Sequence, residues 1–284
     1  MSRKVLFSRM RHSYFFMTGF VCLCLIFVAI YILPLLSDWN PVANSLVDRF
    51  TPPEGFSKGF QGHIFGTDQL GRDLFIRLFT GIKYSFYLAF ITTLLNLIIG
   101  SALGTFAGYF GKWVDTLIMR LCEAVLAMPT LIMAIAIMAV LGPSTRNLII
   151  VLCISGWVQI CKVTRNNVRV AKQQEFVLAS KALGAKGFHI MFNQIFPNVT
   201  TSIIVLTSQR VGVVILMEST LSYLNMGIQD PAPSLGNLIS NGRIYLATQP
   251  WLILVPGIAL MLVVLSCNFL GDGLRDVLDT KRKI

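Results

Sequence analysis

Two ionisable residues stand inside an otherwise apolar stretch, Arg210 and Glu218 within Thr200–Met226. Burying such charges costs several kcal/mol unless they are paired or hydrated, so residues of this kind point to a partner or a function. Their eight-residue separation corresponds to about 12 Å of helical rise along roughly one face, too far for direct contact. Both are expected to face the bundle interior or a translocation path. A structural ion pair to another helix, for example through Glu123, is the equal alternative. Little else in the chain could do chemistry. Gly111-Lys112 is followed by Trp113 and lacks the upstream glycine of a phosphate-binding loop. No Ser/His/Asp or H-E-x-x-H constellation is present, and His12, His63 and His189 lie far apart. The cysteines (Cys22, Cys24, Cys122, Cys153, Cys161, Cys267) are scattered through apolar segments without paired spacing, as small core residues would be. The chain is therefore expected to be no enzyme and to hold no cofactor or metal of its own.

The elements that must carry Arg210 and Glu218 are membrane spans. The 284 residues are 55% hydrophobic and only 13% charged, with mean hydropathy +0.69, which excludes a soluble globular domain. Several apolar runs match the bilayer hydrocarbon, about 30 Å thick at 1.5 Å per residue. A net charge of +11 would suit nucleic acid, but the basic residues sit at the ends of apolar runs, so no nucleic-acid partner is expected. The pattern predicts an all-α polytopic protein of about six transmembrane helices. Residues 1–13 form a cytoplasmic N-terminus and 14–36 a first span, too long for the apolar core of a signal peptide. Residues 37–82 form an external loop. It ends in Gly66–Arg77, which is expected to lie as an amphipathic helix along the membrane surface with Leu70, Leu74 and Leu78 in register. The charges there are read as interfacial. Residues 83–273 hold five further spans, at about Lys83–Tyr109, Asp115–Leu141, Asn147–Val163, Thr200–Met226 and Trp251–Leu270. Residues 274–284 form a cytoplasmic tail.

Within these spans, Gly100-x-x-x-Gly104-x-x-x-Gly108 presents a flat strip for close helix approach. Met128-Pro129 predicts a kink in the third span, which also carries Arg120 and Glu123 one turn apart. Sixteen lysines and arginines fall on the proposed inner side, in the N-terminus, the Gly108–Arg120 region, the 162–186 stretch and the tail. Seven fall outside, which supports six spans with both termini cytoplasmic.

The remaining polar stretch, about 165–199, organises the rest. Phe176, Ala179, Ser180 and Leu183 share one face of a first short helix beginning at Glu175. Gly184 and Gly187 interrupt it, since glycine readily takes the left-handed geometry of a helix C-terminus. Phe188, Met191, Phe192 and Ile195 repeat the spacing on a second helix, which Pro197 is expected to stop. A polar segment between spans that keeps two apolar faces is suited to docking, on its own protein or on another.

Leu178-Ala179-Ser180-x-x-x-Gly184 followed by Ile195-Phe196-Pro197 resembles the EAA loop of ABC importer permeases, the helix that enters a groove on a cytoplasmic ATPase. Leu-Ala-Ser stands here for the usual Glu-Ala-Ala. Collinear stretches extend the resemblance over about three quarters of the chain. They are Gly66-Thr67-Asp68-x-x-Gly71-Arg72-Asp73, Ala107-Gly108-Tyr109-Phe110-Gly111-x-Trp113-Val114-Asp115, Gly184-Ala185, Phe196-Pro197-Asn198-Val199, Pro231-x-Pro233-Ser234-x-Gly236 and Asn268-x-Leu270-Gly271-Asp272-Gly273-Leu274-Arg275-Asp276. Together they resemble the second, C-type permease subunit of dipeptide, oligopeptide and nickel ABC importers. Asp230 stands where that family commonly has proline, and Leu235 where it has tryptophan. The resemblance implies a type I importer permease whose coupling loop comprises Glu175, Phe176, Ala179, Ser180, Leu183, Gly184, Ala185, Phe188 and Pro197. It also implies a second homologous permease and two ATP-binding subunits carrying ATP and Mg2+. An extracytoplasmic solute-binding protein would meet a surface formed partly by Gly227–Pro250, all in the cell membrane's lipid bilayer. Peptides are the expected cargo, with nickel or a metal chelate as the alternative. A stand-alone secondary transporter is the third reading, which lacks a visible internal repeat and leaves the docking stretch unexplained.

Overall fold

The computed structural model describes residues 9–35, 40–57 and 59–278. Arg3, Lys4, Lys58 and Lys281-Arg282-Lys283, on which part of the lysine and arginine count rests, lie outside the described residues. The helices are α1 (Tyr14–Ile32), α2 (Leu74–Phe110), α3 (Lys112–Leu126), α4 (Thr130–Leu141), α5 (Thr145–Lys172), α6 (Glu175–Ala182), α7 (Gly187–Tyr223), α8 (Leu235–Gly242) and α9 (Trp251–Leu278). Five of them are long and apolar enough to cross a membrane. The α3–α4 pair makes a sixth crossing if its two members, bent by 81°, are one span. The bend falls at Met128-Pro129, because proline cannot continue the backbone hydrogen-bond ladder of the preceding helix.

The α2–α5 pair forms the central packing. A Cβ at Gly100, Gly104 or Gly108 would lie 2.6, 2.5 or 2.7 Å from the backbone oxygens of Trp157, Cys161 and Arg165, so the glycine strip brings the two backbones into contact. Around it, α7, α8 and α9 pack on α2 and on each other, and α1 lies along α9 with Phe16, Leu23 and Ile30 turned inward. The main apolar core draws on Leu88, Met138, Leu148, Ile215, Leu221 and Leu252, from α2, α4, α5, α7 and α9.

Several boundaries differ from the sequence expectation, and α5 and α9 outrun their expected ends at Val163 and Leu270 to reach Lys172 and Leu278. Gly66–Asp73 is a folded loop, and α2 begins at Leu74 because Asp73 caps it, accepting from Ile76 N–H at 3.0 Å. Pro197 does not stop the second helix of the docking stretch. A π-type turn over Ile190–Ile195, in which Phe196 N–H reaches back to Met191 O, widens the ladder where proline lacks an N–H, and α7 runs on to Tyr223. The fifth span is therefore a continuation of that helix, beginning at Gly187.

Candidate functional site

The docking stretch folds as α6, a tight turn and the first turns of α7. Gly184 adopts φ +81°, with Gly184 N–H donating to Lys181 O and Ala185 N–H to Ser180 O, each at 3.0 Å. That paired pattern closes the helix C-terminus, and the left-handed residue it needs is most easily glycine. One side chain of α6, Val177, is buried, in a cluster with Ile160, Val168, Ile190 and Ile195. The predicted face points the other way. Phe176 is exposed, Leu183 is 88% exposed and Phe188 is 62% exposed, with Ala179, Gly184 and Pro197 also at the surface and Ser180 and Ala185 half-buried. The predicted second face divides. Met191 and Ile195 turn into the protein while Phe188 and Phe192 turn out.

This protrusion is braced from below. Phe110, at the end of α2, meets Phe188 edge to face at 6.0 Å, and the Tyr109 hydroxyl is 3.1 Å from where a Gly187 Cβ would sit. Lys172 donates to Tyr109 O at 2.5 Å, satisfying a terminal carbonyl of α2, and its Nζ also lies 5.2 Å from the centre of the Tyr109 ring. Asp115 on α3 binds the guanidiniums of Arg165 (Nη2 at 2.6 Å) and Arg169 (3.0 Å), fixing α3 to α5.

At the opposite end of α7 the two intramembrane charges take different environments. Arg210 donates to Gly156 O at 3.1 Å and to Gln159 Oε1, both on α5. Glu123 is not its partner, since that carboxylate lies outward and pairs with Arg120 at 3.0 Å. Glu218 is 0% exposed. Its Oε2 accepts from Ser85 Oγ of α2 at 2.8 Å and from Ser219 Oγ at 3.3 Å, and its Oε1 from Ser222 Oγ at 2.8 Å. Of the two environments expected for Glu218, the structure therefore shows the bundle interior.

The charges of Gly66–Arg77, read from sequence as interfacial, are buried. Arg77 is 0% exposed, and Asp68, Arg72 and Asp73 are buried with it. Arg72 Nε donates to Asp68 Oδ2 at 2.6 Å. Arg72 Nη1 and Arg77 Nη2 converge on Asp230 Oδ1 at 3.3 and 3.2 Å, and Arg77 Nη1 donates to Pro41 O at 2.9 Å. His63 Nδ1 lies 2.9 Å from Asp73 Oδ2. Burial pushes the Asp73 carboxyl above its ordinary range, against the hydrogen bonds from Ile76 N–H and His63 that pull it down. Asp230 is thus the acceptor that ties Arg72 of the loop before α2 and Arg77 of α2 itself to the segment before α8. No sequence signal joins it to arginines some 150 positions away; the only local hint was that Arg72 and Asp68 stand four apart.

Comparison with known proteins agrees with this architecture. The model of a family described as "binding-protein-dependent transport system inner membrane component" matches residues 100–284. The dipeptide transport system permease protein DppC of Alkalihalophilus pseudofirmus is 39% identical over 250 residues, covering 88% of this chain and 82% of the relative. The oligopeptide transport system permease protein OppC of Bacillus subtilis is 34% identical, with 96% and 88% covered. The glutathione transport system permease protein GsiD of Pectobacterium atrosepticum is 36% identical, with 78% and 73% covered. A helical bundle with five to six crossings, an outward apolar hairpin between two of them, and matches of this extent lead to one conclusion: the chain is a multi-pass membrane protein and belongs to the binding-protein-dependent transport system inner membrane component family.

Proposed function

We propose that this chain forms half of the translocation pathway of an ABC importer for di- and oligopeptides, and that Glu175–Pro197 is the seat of a cytoplasmic ATPase. The observation that carries the reading is the outward set Phe176, Leu183 and Phe188 on a hairpin that is braced by its own protein yet left uncovered. Large exposed apolar side chains clustered on one protrusion mark an interaction surface. The relatives named above are called dipeptide, oligopeptide and glutathione permeases, which supports a peptide cargo and leaves nickel without support from them. Family membership likewise argues against a stand-alone secondary transporter.

In this scheme ATP and Mg2+ are held by two separate ATP-binding subunits. Their closure displaces the coupling segment and reorients the spans of this chain and of a second, homologous permease. The distribution of lysine and arginine supports cytoplasmic placement of both termini. A solute-binding protein delivers peptide to the outer face, partly formed by Gly227–Pro250. Arg210, half-buried at a span interface with its charge held by neutral α5 groups, is the candidate path residue.

The test is uptake in a strain lacking this gene, comparing labelled short peptides with labelled nickel, alone and with a chelator. Loss of peptide uptake alone is expected; loss of metal uptake with peptide uptake intact would move the chain to the metal branch. In the same assay Arg210→Leu should lower peptide uptake by a normally assembled complex, and wild-type uptake would remove Arg210 from the path.

A further inference from the structure

The same helix that begins at the docking turn ends at the Glu218 cluster. At 37 residues, α7 spans roughly 55 Å at 1.5 Å per residue, longer than the hydrocarbon core. Around its far end the chain returns as Asn225–Gly242, and this return segment is fitted to α7 backbone to backbone. A Cβ at Gly227 would lie 2.0 Å from Ser222 Oγ, and one at Gly236 would lie 2.1 Å from Ser219 O. Ile228 N–H donates to Ser222 Oγ at 3.2 Å, and Ser240 Oγ donates to Tyr223 O at 2.8 Å. Ser234, fully buried, caps α8 through Asn237 N–H at 3.2 Å and packs beside Gly81 of α2.

Glu218 stands at the centre of these contacts. Ser85 joins it to α2, Ser219 joins it to its own helix beside Gly236, and Ser222 joins it to the return segment by relaying Ile228 N–H. A buried carboxylate met by a hydroxyl of α2 and by a hydroxyl of α7 that also accepts from the return segment ties the three together, because releasing either hydroxyl leaves a buried polar group unpaired.

We propose that the Glu218–serine cluster is the joint that locks the return segment to α7, so that the segment moves with the helix whose other end is the coupling turn. Glu218 is then a positioning residue for transport, acting through the return segment and touching neither ATP nor cargo. The inference rests on the coupling role proposed for Glu175–Pro197. Its signal also runs in reverse for binding, since an event outside that favours one arrangement of the joint must shift nucleotide affinity inside by the same coupling free energy, and hydrolysis follows the population of that arrangement.

The experiment uses the assembled transporter in lipid nanodiscs, with its binding protein added, and measures ATP hydrolysis with and without that protein for wild type, Glu218→Gln and Ser85→Ala. Both substitutions nearly conserve volume. Glu218→Gln replaces an acceptor by a donor facing serine hydroxyls, and Ser85→Ala removes the α2 arm. Basal hydrolysis per assembled complex should stay near wild type, while stimulation by the binding protein should fall about fivefold or more in both variants. A purely structural role would reduce the amount of complex and leave the stimulation ratio untouched. Unchanged stimulation in both variants would overturn the joint. So would failure of Glu218→Gln to assemble together with normal stimulation in Ser85→Ala. Stimulation in the wild type without peptide uptake would instead count against the proposed cargo, which this ratio does not depend on.

Discussion

The two ends of α7 solve opposite problems. At its start, Leu183 and Phe188 stand largely exposed around a glycine turn where a Cβ added at Gly184 would enter open space. At its finish, the carboxylate of Glu218 and the hydroxyls of Ser85 and Ser222 are buried and hydrogen-bonded, and Gly227 and Gly236 leave no room for a single added carbon. An interior is close-packed and polar-satisfied because its partners are already present. A surface that keeps large apolar side chains in the open is complete only against something else. One helix thus carries a finished contact at one end and an unfinished one at the other.

Substitutions should separate these ends by what they destroy. The largest effect is expected from Gly227→Leu. Its side chain would have to displace Ser222, whose Cα and N lie 2.6 and 2.7 Å from the Cβ position, and backbone in a packed helix yields poorly. Overpacking costs about 1–3 kcal/mol or more, so membrane-inserted protein measured by immunoblot should fall severalfold, and uptake with it. Wild-type abundance would mean that the return segment is not held as tightly as its geometry indicates. Leu183→Asp should do the reverse. The residue is exposed, so abundance should hold, while co-purified ATPase and peptide uptake should both drop about tenfold or more, as expected for an interface anchor. Retained ATPase would remove this face from the interface.

Much of this contrast was legible in the sequence, for reasons of period and residue type. The 3.6-residue spacing of Phe176, Ala179, Ser180 and Leu183 defined a face, and Gly184 marked the turn. Periodicity could not say whether that face pointed in or out. The protein turned it outward by burying Val177 instead. The strip at Gly100, Gly104 and Gly108 was equally readable, because a run of small residues at helical spacing has few structural meanings. Pro197 misled because a local rule was overridden by a π-type turn that no residue pattern announces. The Gly66–Arg77 charges misled for a different reason. Arg72 and Arg77 are buried against Asp68, and Asp230 meets both through the tertiary fold, a partner of which an amphipathic spacing carries no record. Glu218 was singled out by its depth in a span, and Ser219 and Ser222 stand beside it in the sequence, yet Ser85 reaches it from 133 positions away, a contact that no spacing records.

The smallest expected effect sharpens the comparison most, because it separates space from backbone geometry at Gly184. Beyond its own chain neighbours no heavy atom lies within 4 Å of a Cβ placed there, so a methyl group meets no steric obstacle from the rest of the protein, and the obstacle that remains is φ +81°. Left-handed backbone costs an ordinary L-residue roughly 1–2 kcal/mol, whereas asparagine visits it more readily. Gly184→Ala should therefore lower uptake a few-fold with abundance unchanged, and Gly184→Asn should recover much of that loss despite its larger side chain. If size and not backbone decided the outcome, alanine would be tolerated better than asparagine, and the surface around the turn would have to be covered closely by its partner at Gly184 itself. The order of the two variants in a single uptake assay, normalised to membrane protein, distinguishes a turn that must keep its shape from a surface that must keep its clearance.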